Sequence, residues 1–294
     1  MNEIDLVIIR KLLENSRVTY RELAEMTNMS VSAIHKRIKN LEENRIINTY
    51  IARPSVIALK CLWVMVFGAS TAKSLDSVSK ELGQHENVKF IGIMGAKFLY
   101  ITAFLRNISE LQEFSVYISK TAHISEPTIG FINTPYMTTP EPLTTIDYKI
   151  LKTINRDARK PITDIADDVG LSAKTVRKRL NHMIENKLVT FTIEWIPMYE
   201  NSFAMFFHLF LNEGTDINST IQHINDKYSK NNAYCFSYSN IPNFITLETL
   251  AKTAQESQKI QEELQTEGFK DVIPYIYLSA KWYECWVDQL LRTK

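Results

Sequence analysis

The chain has 294 residues, 45% of them hydrophobic and 23% charged, with a formal net charge of +1. That length and apolar content suffice for two or more folded domains, and the near-neutral balance excludes a protein that binds nucleic acid over its whole surface while allowing local basic patches. The three cysteines, Cys61, Cys235 and Cys285, are odd in number and widely separated, so neither a disulfide framework nor a zinc site is indicated; an acidic N-terminus and the lack of any membrane-length apolar run predict a cytoplasmic protein.

In chain order, Ile4, Ile8 and Leu12 with Leu13 recur at helical spacing and predict an opening helix. Tyr20 to Asn28 reads as a short second helix ended by Asn28, a residue type that tolerates the left-handed conformation. Ser30 is the N-cap of a third helix. On it Ile34, Ile38 and Leu41 form one apolar stripe, which must face a core, while Ser32, Lys36 and Lys39 lie opposite it. Two helices joined by so tight a turn form the pair whose second member enters the major groove of DNA. The β-branched stretch from Arg45 to Ile51, bracketed by Asn44 and Pro54, predicts a wing strand.

Beyond the wing the pattern predicts a strand from Cys61 to Ala69, a helix from Leu75 to Leu82, strands from Val88 to Met94 and Phe98 to Leu105, a helix from Ser109 to Lys120 and a strand from Thr128 to Thr134. The order βαββαβ is that of a ferredoxin-like domain. Prolines 135, 140 and 142 then favour an extended linker. After it the chain repeats itself. Ile146-Asp147 answers Ile4-Asp5, and the offset of 142 positions holds without a gap through Arg17 and Arg159, Ser30 and Ser172, Lys36-Arg37 and Lys178-Arg179, to Glu43-Asn44 and Glu185-Asn186. A second reading helix therefore runs to Met183, with Val176, Leu180 and Met183 inward and Lys174, Lys178 and Asn181 outward; Lys187 to Ile193 is its wing strand. The second βαββαβ set spans Phe203–Leu211, Ile217–Tyr228, Tyr234–Tyr238, Phe244–Leu250, Ala254–Thr266 and Val272–Leu278, where loop insertions widen the offset to 146 at Phe98 and Phe244. A short amphipathic helix follows Lys281.

The fold class expected is α+β, a tandem repeat of winged helix-turn-helix and ferredoxin-like domains divided at 1–55, 56–134, a linker at 135–142, 143–198 and 199–294, the last including the C-terminal helix. The candidate DNA contacts are Ser30, Ser32, Ala33, Lys36, Arg37 and Lys39 in the first copy and Ser172, Lys174, Thr175, Lys178, Arg179 and Asn181 in the second. Ser32, Ala33, Lys174 and Thr175, near the helix starts, suit base reading. Lys36 and Lys178, about 160° from the core stripe, suit the groove or its phosphates. Arg37 and Arg179 lie on the flank, suited to a phosphate or an internal carboxylate. His182 faces outward, and His35 is read as an exposed flank residue. The histidines at 85, 123, 208 and 223 lack metal-ligand spacing, so no metal or cofactor is expected.

The run from Met29 to Ile47, followed by Tyr50, resembles the leucine-responsive (Lrp/AsnC, or feast/famine) transcription regulators. The resemblance implies a regulator of double-stranded DNA whose sensing domains pair through their sheets and hold an amino acid or similar effector at that interface. Duplication suggests that the two sensing domains of one chain pair as an intramolecular pseudo-dimer, with further homo-oligomers in reach. Where the family has Leu-Glu-x-x-Gly-x-Ile, this chain places Arg45 and Lys187 at the glycine, so Asn44 and Asn186 are expected to make the helix-ending turn. The family's effector turn falls on Gly95 and Lys97 in the first copy; the stretch from Tyr238 to Asn243 keeps neither residue. Sirohaem decarboxylases resemble the same family, so an enzyme of that kind and a metabolite-sensing module without DNA binding are the rival readings.

Overall fold

The computed structural model describes residues 3–134, 141–196 and 203–293. Most of the linker and the wing-ending Pro197 lie outside the described residues. The elements run α1 (Glu3–Glu14), α2 (Tyr20–Thr27), α3 (Val31–Glu43), β1 (Ile47–Pro54), α4 (Val56–Leu59), β2 (Leu62–Ala69), α5 (Leu75–Leu82), β3 (Val88–Met94), β4 (Phe98–Leu105), α6 (Leu111–Ala122) and β5 (Thr128–Phe131). The second copy gives α7 (Thr145–Ile154), α8 (Ile162–Val169), α9 (Ala173–Glu185), β6 (Val189–Trp195), β7 (Phe203–Phe210), α10 (Ile217–Lys227), β8 (Asn232–Tyr238), β9 (Ile241–Ala251), α11 (Ala254–Thr266), β10 (Asp271–Trp282) and α12 (Trp286–Thr293). The expected element order is present twice; the extra helix α4, capped by Ser55, was not legible because it is a single turn.

The chain forms two compact units, and neither is one copy of the repeat. One gathers residues 1–6, 62–134 and 197–283; the other gathers 7–61, 135–196 and 284–294.

In the first unit eight strands form one sheet in the order β5-β2-β4-β3-β10-β7-β9-β8, two ferredoxin-like sets joined where β3 pairs antiparallel with β10. Its ends also meet: Ile132 bridges to Tyr238, and the Ser239 and Asn133 amides donate to the Phe131 and Ser237 carbonyls, both at 2.9 Å. Meeting ends leave no open edge to pair with another chain. Alternation along the strands sends every second residue to the helices. Val64, Val66, Ile91, Leu99 and Ile101 pack with Val78, Leu82, Phe114 and Ile118 in the first set, and Phe207, Leu209, Ile245 and Leu247 with Ile224, Ile260 and Leu264 in the second. The other faces meet each other through aromatic rings: Phe67 on Phe244 at 5.8 Å, Tyr100 on Phe206 at 4.5 Å and Phe98 on Tyr275 at 4.2 Å. Each such pair adds about 0.5–1.5 kcal/mol beyond the area it buries. Gly130 allows the ends to close, since a Cβ there would stand 2.2 Å from the Tyr238 ring.

In the second unit the wing strands pair with each other rather than forming a separate hairpin in each copy; Tyr50 lies opposite Ile193 and Ala52 opposite Phe191 in an antiparallel ribbon. The ribbon is tied to both helix sets, with the Ala52 amide donating to the Asn155 carbonyl at 3.0 Å and the Ala158 amide to the Tyr50 carbonyl at 3.1 Å. The C-terminal helix α12, expected with the second sensing domain, belongs here instead. Its Leu291 is buried among Ile150, Leu151 and Leu188, because Trp286, Val287 and Leu291 make one apolar face that α7 can cover.

Candidate nucleic-acid interface

Each reading helix is placed by the same local chemistry. The Ser30 hydroxyl accepts from the Ala33 amide at 3.2 Å, and the Ser172 hydroxyl from the Thr175 amide at 3.1 Å. Such caps satisfy orphan N–H groups and stabilise a helix by about 1 kcal/mol. Ser30 and Ser172, taken from the sequence as DNA contacts, thus work first as caps. Both hydroxyls also meet a neighbour, Ser32 at 3.0 Å and Thr175 at 2.9 Å. The turn before α3 has Asn28 at φ 53°, the left-handed residue that the sequence indicated.

The far ends differ from expectation. Asn44 and Asn186 have φ of −85° and −91°, and the left-handed residues are Arg45 at 56° and Lys187 at 57°. The next amides, of Ile46 and Leu188, return to the Leu41 and Met183 carbonyls at 2.9 and 2.8 Å, closing each helix in a Schellman turn. The geometry needs its left-handed residue one place after the asparagine, and it keeps that place without the glycine. Asn44 and Asn186 instead fold their side-chain amides back onto the Asn40 and His182 carbonyls.

Ile34, Ile38 and Leu41, and Val176, Leu180 and Met183, are buried, while Ser32, Lys36, Lys39, Lys174, Lys178 and Asn181 are exposed. Ala33 and Thr175 are half-buried. Lys39 pairs with Glu43 at 3.7 Å, an exposed contact worth little. Among the described residues Lys36, Lys174, Arg177 and Lys178 have no ion pair. Arg177, exposed and unpaired, was not among the sequence candidates; its counterpart in the repeat is His35, whose ring meets Tyr20 edge-on at 5.4 Å. The second helix therefore offers three uncompensated cations where the first offers one.

Arg179 is a correction. Its Nε and Nη2 donate to the two carboxylate oxygens of Asp147 at 2.8 and 2.6 Å, and Asp147 has no exposed surface. Burial alone would raise the Asp147 pKa, but the hydrogen bonds from Arg179 and Thr144 outweigh it and hold the carboxyl below its ordinary range. A guanidinium fork occupied this way ties α9 to α7 and is not available to read a base. His182 meets Glu141 at 3.4 Å and the Asn186 amide at 3.2 Å.

A feature missed in the sequence joins the two helix sets. Arg17 donates to the Ala158 and Lys160 carbonyls at 2.6 and 3.3 Å, and Arg159 donates to the Val18 carbonyl at 3.2 Å, so each copy grips the other's backbone with its matched arginine. The Arg159 guanidinium lies 4.5 Å from the Tyr20 ring and 5.3 Å from the Tyr50 ring. The signal was present, as an arginine kept at the same place in both copies.

In the sheet unit, Gly95 opens a 3₁₀ turn, Gly95–Lys97, where a Cβ would come 2.7 Å from Ile276 Cγ2. The Lys97 ammonium donates to the Ala72 carbonyl at 3.0 Å. The expected effector turn thus has a packing use for its glycine and a backbone partner for its lysine. His208, 4% exposed, is ringed by Phe67, Phe98, Phe244 and Tyr275, and its Nε2 is 2.5 Å from the Tyr100 hydroxyl. Burial pushes its pKa down to about 4. Among the described residues no cluster of potential metal ligands exists and no helix is long and apolar enough to cross a membrane.

Comparison with known proteins bears on both units. Residues 1–48 match a family model for winged helix-turn-helix DNA-binding domains, and residues 143–184 match the AsnC-type helix-turn-helix domain. An uncharacterized HTH-type transcriptional regulator of Pyrococcus furiosus is 29% identical over 116 residues, which are 38% of this chain and 78% of the relative. One of Pyrococcus horikoshii is 33% identical over 92 residues, 31% of this chain and 62% of that protein. Each is matched by about the share of the chain that one copy supplies. The crystal structure of the siroheme decarboxylase NirDL aligns with a TM-score of 0.61 over 99% of this chain and 98% of its own, at 14% identity, and so shares the duplicated fold. The paired helix-turn-helix matches and the twofold element order place this chain in the Lrp/AsnC family of transcriptional regulators, as a member carrying two copies of the family's unit in one polypeptide.

Proposed function

We propose that the protein is a sequence-specific regulator that holds double-stranded DNA with both reading helices and is modulated by a small molecule bound in its sheet unit. The observation that carries the reading is the exposed, uncompensated basic face on each of α3 and α9, Lys36 on one and Lys174, Arg177 and Lys178 on the other, each backed by a buried apolar stripe. Ser32, Ala33, Lys174 and Thr175 are the base-reading positions, and Lys36, Lys39, Lys178 and Asn181 approach phosphates. Two unlike helices in one unit suit an operator whose half-sites differ.

The enzyme reading is favoured by one finding, the fold shared with a siroheme decarboxylase. Against it, the inward-facing His208 is neutral, walled by aromatic rings and already bonded to Tyr100, which leaves it poorly placed to handle protons or a metal. The test is DNA binding across salt. Neutralising about six phosphates weakens binding roughly a thousandfold between 50 and 200 mM salt. Salt-insensitive or absent binding, or turnover of added sirohaem, would overturn the regulator reading.

A further inference from the structure

We propose that the space beside Glu248 and Tyr277, on the aromatic face of the sheet, binds one small protonated amine per chain. This deepens the regulator reading and rests on it only for the word effector. Glu248 sits where the strand alternation puts Phe244, Thr246 and Leu250, facing inward, with Phe206 on one neighbouring strand and Tyr234 on the other directly opposite it. It is 5% exposed, and among the described residues no hydrogen bond or ion pair satisfies its carboxyl. Burial is the one cause that moves its pKa, up to about 8, so no cation of the protein stands near it.

Close by is a second polar atom in the same condition. The Tyr277 hydroxyl is buried with no hydrogen-bond partner, and the Glu248 carboxyl is near enough to raise its pKa further. Two neighbouring orphans are costly, at about 1–3 kcal/mol each, unless something bridges them. The surrounding residues are small or aromatic. Ala204 lies beside Leu250 on the same face, Gly92 adjoins the Tyr277 hydroxyl, and Tyr234 stacks with Phe236 at 5.1 Å.

An ammonium group answers every one of these features. Its N–H groups can donate to the Glu248 carboxylate and the Tyr277 oxygen, and its charge suits the ring faces. A carboxylate or phosphate would meet repulsion and find no cation. The first copy has Thr102 at the position matching Glu248 when Phe98 is set on Phe244, so the site exists once.

The test is a thermal melt of the full chain at pH 7, without DNA, titrated with n-butylammonium chloride and, as controls, n-butanol and sodium butyrate. The expected result is a saturable rise of about 2–4 °C with the amine alone, lost in Glu248→Gln, reduced in Tyr277→Phe, and a calorimetric stoichiometry of one. No rise with the amine, as for a site filled by water, or an equal rise in Glu248→Gln, overturns the proposal. Should Glu248→Gln fail to fold, Tyr277→Phe decides: an undiminished rise there also overturns it. Because DNA is absent, failure of operator binding leaves this result standing, and failure here leaves operator binding standing.

Discussion

Replacing Glu248 by glutamine should make the protein more stable, and by an amount that grows with pH. In the folded chain the carboxyl titrates near 8 against an ordinary value of 4.5, because charging it on the buried face costs more than charging it in water. Between those values the unfolded chain has released a proton that the folded chain keeps, so stability falls as pH rises, by about 1.4 kcal/mol per unit. Across the window the accumulated cost is roughly 3–5 kcal/mol, reached near pH 8 and constant above it. Tyr234 and Tyr277 titrate too high to contribute there. Glutamine removes the titration but leaves an amide to satisfy, which adds an offset independent of pH. Urea unfolding of both proteins at intervals from pH 5 to 9, followed by circular dichroism, separates the two. The difference in stability should climb through this range and flatten above pH 8; a difference that stays level would refute the reasoning.

Arg179→Leu should cost about 2–4 kcal/mol by stranding the buried Asp147 carboxylate, and adding Asp147→Asn should restore much of it in a double-mutant cycle. Since Asp147 is held below its ordinary pKa, the contribution of this pair is complete at neutral pH and is lost as pH falls through the folded value, below about 4. Arg45→Gly and Lys187→Gly should each add about 0.5–1 kcal/mol by relieving a left-handed side chain, read as higher melting temperatures. Lys178→Ala should lower the salt slope of DNA binding by about one without changing preference among sequences, whereas Lys174→Ala should alter that preference. Gly130→Ala should destabilise the sheet unit, as a methyl 2.2 Å from the Tyr238 ring forces the sheet ends apart.

Local rules made the helices and strands legible. Helical spacing located the stripes of α3 and α9, serine caps located their starts, and alternation located the strands of both ferredoxin-like sets. What could not be read was pairing at long range. Nothing in residues 45–51 or 187–193 says that the two wings are halves of one ribbon, and nothing in the tail says that α12 crosses to the helix-turn-helix unit. The flank arginines show the same limit, because Arg179 is distinguished from a phosphate contact only once the buried Asp147 is found beside it. Glu248 was within reach. It interrupts an inward-facing row of Phe244, Thr246 and Leu250, and a charge in such a row signals either a partner or a ligand.

The interleaving of the two copies has a consequence for descent. In a protein built from two identical subunits, any substitution appears on both sides of the axis at once and must be tolerated twice. Here one gene writes each side separately. A glutamate could be tried on one strand while threonine stayed on its twin, and one probe could gather lysines while the other stayed nearly plain. Because each compact unit needs segments from both halves of the gene, neither half can later drift away as an independent regulator.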